Sequence, residues 1–159
     1  MRLPDGRRLA FADYGPRNGV PCIVLSGMPG SRLAPAWAFP EGLLAQGGVR
    51  LLGVDRPGYG GSDPNPSTSA LGVADDVGVL CATVGLDRLA VLGISVGAPF
   101  ALACAVRFPQ RLGSLLLSSP MGPWELPETR AGMSRRNRRY FTLTCREDAG
   151  AATPAPGSS

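Results

Sequence analysis

Apolar positions along this chain fall into short continuous runs rather than long amphipathic stripes. Residues 21–26, Pro-Cys-Ile-Val-Leu-Ser, form one run that stops at Gly27. Residues 49–54 form a second, 89–92 a third and 115–117 a fourth. A run without polar alternation is how a strand buried on both faces reads. Residues 8–14 instead alternate loosely after the Asp5-Gly6 turn signal, which predicts an antiparallel strand on the sheet's edge side. Between the runs, 33–45 predicts a helix interrupted by Pro35 and Pro40. Residues 70–84 predict a helix with Leu71, Ala74, Val77, Leu80, Cys81 and Val84 on one face and Asp75-Asp76 near its positive end. Residues 97–107 predict a third helix, closed before Pro109. Buried strands alternating with helices imply an α/β fold with a doubly wound, mostly parallel sheet. Beyond Pro120 the pattern decays, with room for one or two short helices between Trp124 and Arg146. The expected organisation is a folded part over 1–120, an irregular or lid-like region over 121–148 and a disordered Ala/Pro/Gly/Ser tail over 149–159.

Composition narrows the chemistry. The chain has 159 residues, 44% of them hydrophobic, enough for one domain with a core. All 16 basic residues are arginine, and there is no histidine. Cys22, Cys81, Cys104 and Cys145 form no C-x-x-C pair, so neither a zinc site nor any other cofactor is expected. The first three sit in apolar stretches and read as reduced, buried thiols. The first six residues turn polar at once, and the longest apolar run, 98–106, is too short to cross a membrane. A soluble cytoplasmic protein is the expectation, with no membrane partner. Arg135-Arg136-Asn137-Arg138-Arg139-Tyr140-Phe141 has the residue types that meet phosphates and stack on bases, but a solvated helix explains it more simply, and no nucleic-acid partner is expected.

Candidate chemistry lies at the carboxyl ends of the buried strands, where doubly wound sheets place their sites. Those ends carry Ser26-Gly27-Met28-Pro29-Gly30, Asp55-Arg56-Pro57-Gly58-Tyr59-Gly60 and Gly93-Ile94-Ser95-Val96-Gly97. The last matches G-x-S-x-G. With 22 glycines, random order gives roughly 0.2 such matches in a chain of this length, so context decides. A strand leads in at 89–92, and a helix with Pro99 in its first turn leads out. On such a turn a serine hydroxyl projects above the sheet, while Gly93 and Gly97 remove side chains that would clash.

Over residues 3–120 the chain resembles the α/β-hydrolase family, with the three motifs in order. Leu25 to Arg32 is similar to that family's His-Gly-x-Pro-Gly-Ser-Arg oxyanion loop, with Ser26 where the family has histidine. Val54 to Asp63 resembles its turn after the next strand. The resemblance implies a sheet of the α/β-hydrolase type, incomplete at its C-terminal side. It implies Ser95 as the nucleophile toward an ester-like or amide-like carbonyl of a small-molecule substrate, through an acyl-enzyme. The backbone N–H groups of Val96 and Met28 would form the oxyanion hole, and the Met28 side chain would line the acyl pocket. Asp55, Arg56 and Asp63 are expected to be turn and ion-pair structure. Epoxide and haloalkane hydrolysis are disfavoured, since those relatives carry aspartate at the position of Ser95.

A serine hydroxyl needs a base, and in this fold the partners follow in the order Ser, Asp or Glu, His. The chain has no histidine and no lysine, and carboxylates are weak bases toward a hydroxyl. Ser118-Ser119-Pro120 offers no acid after the last strand. The expectation is therefore a truncated hydrolase that is inactive alone. The alternative is a hydrolase-fold protein that binds ligand without catalysis.

Overall fold

The computed structural model describes residues 1–123 and 126–150, with side chains to residue 142. It separates into a unit over Met1–Met121 and a second beginning at Gly122.

In the first unit, five strands form one sheet in the order β1-β3-β2-β4-β5. They are β1 (Phe11–Tyr14), β2 (Val20–Leu25), β3 (Val49–Val54), β4 (Leu89–Ile94) and β5 (Leu112–Ser118). β1 runs antiparallel on the edge beside β3, and the other neighbours are parallel. The expected strand over 8–14 is shortened at its start, because Arg8 forms an isolated bridge with Arg2 instead. β5 is longer than 115–117, since parallel pairing with β4 recruits Leu112 and Ser114 into the ladder.

The helices cover both faces. α1 (Ala34–Ala38), α2 (Glu41–Gly47), α3 (Ala70–Thr83) and α4 (Ala98–Arg107) occupy the crossovers. Ile23, Leu25, Leu52 and Val91 pack with Ala74, Val77 and Leu80 of α3 and Ala101 and Cys104 of α4. Cys22, Val24 and Leu51 point to the opposite face and meet Leu44 of α2. Ile23, Leu25, Leu52 and Val91 are fully buried, each worth about 1.5–3 kcal/mol relative to exposure. The single helix expected over 33–45 is two: Phe39, held extended before Pro40, separates α1 from α2.

α3 departs from expectation in its buried face and in the role of Asp76. Ser69 caps it by accepting the N–H of Gly72 at 3.0 Å. Val73 is buried while Leu71 is exposed. Asp76 does not serve the helix dipole: it is buried and accepts two hydrogen bonds from the Arg7 guanidinium, at 3.0 and 2.8 Å. This fork ties the N-terminal segment to α3 and holds the Arg7 pKa above the ordinary arginine value.

In the second unit, α5 (Pro127–Ala131) and α6 (Arg135–Gly150) are the two helices formed among the described residues. The arginine run lies on α6, with Arg135 to Tyr140 exposed. The expected tail falls outside the described residues from 151 onward. No helix among the described residues is long and apolar enough to cross a membrane.

β5 is an edge strand, and its Leu116 and Leu117 are 49% and 39% exposed. An unpaired parallel edge bearing leucines templates pairing with another chain. The purified chain is expected to self-associate, and Leu117→Lys to move its size-exclusion peak toward the monomer. An unchanged profile would contradict this origin of association.

Candidate active site

The first parallel strand, β2, sends its crossover to β3 on one side, while β4 lies on its other side. This reversal opens a crevice between the carboxyl ends of β2 and β4, the position where open α/β sheets bind ligands. The loops bordering it begin with Ser26-Gly27-Met28 and with Ser95.

Ser95 follows β4 directly and opens the 3₁₀ turn Ser95–Gly97 that leads into α4. Its φ is +52°, a left-handed conformation that a serine rarely adopts without surrounding constraint. The constraint is visible on both sides. A Cβ on Gly97 would fall within the carbonyl oxygen of Leu25 and lie 2.7 Å from the carbon of that carbonyl. A Cβ on Gly93 would lie 2.7 Å from the Cβ of Ala101 and 2.8 Å from the Cα of Ala98. The turn is thus pressed between the end of β2 and the first turn of α4, and only glycine fits either contact. Pro99 sits at the start of α4, where its missing N–H is harmless. The main chain beyond β5 reaches the same turn, where the Met121 N–H donates to the Ser95 carbonyl at 3.2 Å.

The Ser95 side chain is half-buried and lies beside Gly27, where an added Cβ would come within 3.0 Å of its Cβ and 3.7 Å of its Oγ. Ser26, which stands where the resembling family has histidine, is buried, and its hydroxyl donates to the Ser31 carbonyl at 3.2 Å. This bond closes the 26–31 loop around Met28. The Met28–Pro29 peptide is cis. The Met28 N–H donates to no acceptor among the described residues. Val96 is at the start of the 3₁₀–α4 segment, where the first N–H groups have no intrahelical acceptor.

The loop after β3 buttresses this arrangement. Asp55 is fully buried and accepts from the Arg32 N–H at 2.6 Å, from the Arg32 guanidinium and from the Gly61 N–H at 2.8 Å. Its ion-pair partner is Arg32 from the neighbouring loop rather than the adjacent Arg56, and its oxygens are occupied by structure. Asp63 accepts from Arg8, at 2.8 Å from the N–H and 3.2 Å from the guanidinium. Sequence reasoning missed Tyr59, whose hydroxyl donates to the Met28 sulfur at 3.5 Å. The Met28 side chain expected to line an acyl pocket is thus held by Tyr59. Arg56 stacks between two rings, 4.5 Å from the Tyr59 centroid and 4.8 Å from that of Phe100 on α4. Burial lowers the Arg56 pKa, and its Nη2 finds no acceptor among the described residues. The two rings link the loop that supports Met28 to the helix that begins beside Ser95.

Cys22, Cys81 and Cys104 are buried free thiols, pushed up by burial to about 11, 11 and 12. At neutral pH they are protonated and inert. No three potential metal ligands gather among the described residues.

Comparison with known proteins agrees with this geometry. Residues 20–152 match the family model of the alpha/beta hydrolase fold. A 2-hydroxy-6-oxononadienedioate/2-hydroxy-6-oxononatrienedioate hydrolase of Paraburkholderia phymatum is 40% identical over 116 residues, covering 69% of this chain and 39% of that protein. A non-heme chloroperoxidase of Streptomyces lividans is 30% identical over 121 residues, covering 75% and 43%. Among solved structures, a thermophilic esterase from Thermogutta terrifontis superposes with a TM-score of 0.68 at 29% identity, covering 94% of this chain and 53% of that one. The chain thus spans less than half the length of these two sequence relatives and about half that of the esterase. With a sheet, crevice and family match that agree, the chain belongs to the alpha/beta hydrolase fold family.

Proposed function

We propose that this chain carries the nucleophile and oxyanion half of a serine hydrolase site acting on an ester-like or amide-like carbonyl. Ser95 Oγ attacks the carbonyl carbon, and the carbonyl oxygen takes the negative charge of the tetrahedral intermediate. The N–H groups of Met28 and Val96 stabilise that charge, each worth about 3–4 kcal/mol in the transition state. The leaving group departs when the carbonyl reforms, which leaves an ester on Ser95 for water to cleave. The step needs an acceptor that takes the Ser95 proton and passes it to the leaving group, and the 159 residues offer neither histidine nor lysine for it. The observation that carries the reading is the positive φ of Ser95 on a strand-to-helix turn, with its side chain against Gly27.

A boronic acid tests this at equilibrium: the Ser95 hydroxyl adds to boron, its proton passes to the buffer at mildly alkaline pH, and no protein base has to act in turnover. Phenylboronic acid added to the chain is expected to give a tetrahedral boron signal by ¹¹B NMR that Ser95→Ala abolishes. A signal that survives the substitution, or none at millimolar reagent, would contradict the proposal.

A further inference from the structure

The loop after β3 grips the loop after β2 at two points. Asp55 holds Arg32, and the Tyr59 hydroxyl donates to the Met28 sulfur at 3.5 Å. We propose that Tyr59 is a positioning residue for the oxyanion hole: clamped by Arg56 against Phe100, it fixes the Met28 N–H relative to the Val96 N–H. The inference rests on the serine-hydrolase reading and adds to it the device that sets the spacing of the two donors.

Three observations support the assignment. First, the ends of the loop that carries Met28 are fixed by its main chain and its middle is not. Ser26 is buried and bonded to the Ser31 carbonyl, and the Arg32 N–H is bound by Asp55. Gly30 folds so closely that a Cβ there would lie 2.7 Å from the Gly27 carbonyl oxygen. Between these points neither Met28 nor Pro29 makes a main-chain hydrogen bond among the described residues. The Met28 side chain is what ties the tip down, and Tyr59 is its polar partner. Second, Tyr59 is itself immobilised. Its N–H donates to the Arg56 carbonyl at 2.9 Å, and its carbonyl accepts from the Ser62 N–H at 2.9 Å. The Ser62 hydroxyl in turn donates to the Asp55 carbonyl at 2.8 Å. Third, the buried Arg56 guanidinium faces two rings, Tyr59 at 4.5 Å and Phe100 at 4.8 Å. A flat guanidinium can stack on two rings at once, which an ammonium cannot. Phe100 lies in the first turn of α4, the helix that continues the Ser95–Gly97 turn and so carries Val96. Contacts therefore run without a break from Met28 through Tyr59, Arg56 and Phe100 to the helix of Val96. Both donors must meet one oxygen at about 2.7–3.1 Å, and a misplacement of about 1 Å in such a site can cost on the order of a hundredfold.

The test reads phenylboronic acid affinity of the full chain by ¹¹B NMR and follows the Met28 amide in ¹⁵N-methionine-labelled protein. Met28→Leu identifies that signal among the four methionines. Boronate addition is expected to move the Met28 amide proton downfield in the parent chain. Tyr59→Phe keeps the ring under Arg56 and removes only the hydroxyl. It should weaken boronate binding about two- to tenfold, the span of one net hydrogen bond, and shrink the Met28 shift. Met28→Leu breaks the same contact from the other side, and adding Tyr59→Phe to it should cost nothing further. Ser69→Ala, which removes the cap of α3, is the destabilised control. It should lower the urea midpoint and leave boronate affinity unchanged. Parental affinity in Tyr59→Phe overturns the proposal. So does an equal loss in Ser69→Ala, since affinity would then follow general stability, and so does a Tyr59→Phe effect that persists in the Met28→Leu background. A parent chain without a tetrahedral boron signal contradicts the nucleophile itself, whereas a parent signal indifferent to Tyr59→Phe contradicts this inference alone.

Discussion

Hydrolysis of p-nitrophenyl acetate by the purified chain is expected to match that of its Ser95→Ala variant within error. The hydroxyl is positioned, but nothing in the 159 residues takes its proton efficiently. Carboxylates as a class are weak bases toward a hydroxyl, and the one at the edge of the site, Asp55, has its oxygens engaged by Arg32 and Gly61. The fully buried Cys104 and its two fellow thiols are protonated at neutral pH. Oxyanion donors alone can exceed the water rate by about 10³–10⁴, but that contribution persists without the nucleophile. Loss of a triad member costs on the order of 10⁶ in turnover elsewhere, and that is the deficit expected here. Initial-rate and burst measurements check it. A burst that Ser95→Ala removes would mean that this chain contains its own base.

Gly97→Ala is expected to remove a large part of the chain's stability. The new methyl would enter the Leu25 carbonyl, a backbone group at the buried end of β2, so neither side can yield by a rotamer change. Either β2 leaves its ladder with β4 or the turn holding Ser95 opens. Overpacking of side chains costs about 1–3 kcal/mol; a backbone collision should reach or exceed the top of that range, against a typical total of roughly 5–15 kcal/mol. Gly93→Ala should cost less, because one of its close contacts is the side chain of Ala101 on α4. Gly113→Ala is the control, with its nearest contact an ordinary 3.6 Å. Urea unfolding in the Leu117→Lys background gives the ranking. A Gly97→Ala variant within 0.5 kcal/mol of its parent, roughly the range for an innocuous surface change, would contradict the packing described for this turn.

The difference between these glycines also marks what the sequence could disclose. The strands were legible because burial on two faces leaves unbroken apolar runs, and β3 occupies the range its run predicts. Ser95 and its glycines were legible because strand, turn and helix are consecutive in the chain. Contacts between distant segments were not. The fork between Arg7 and Asp76 joins residues 69 apart, so Asp76 read as a dipole partner of its own helix. The partner of Asp55 is 23 residues earlier, on another loop. Tyr59 reaches Met28 only because the sheet places the loops after β2 and β3 side by side.

The central claim is that Ser95 acts as the nucleophile once a base is supplied. The direct measurement is kcat/KM for p-nitrophenyl acetate in a chimera that joins this chain, at Met121, to the remaining sequence of the Paraburkholderia phymatum hydrolase, with folding verified by circular dichroism. The account predicts turnover in the folded chimera and its loss by a factor on the order of 10⁴–10⁶ in Ser95→Ala. A folded chimera whose activity is the same with alanine at position 95, or one that has none with serine there, would contradict it.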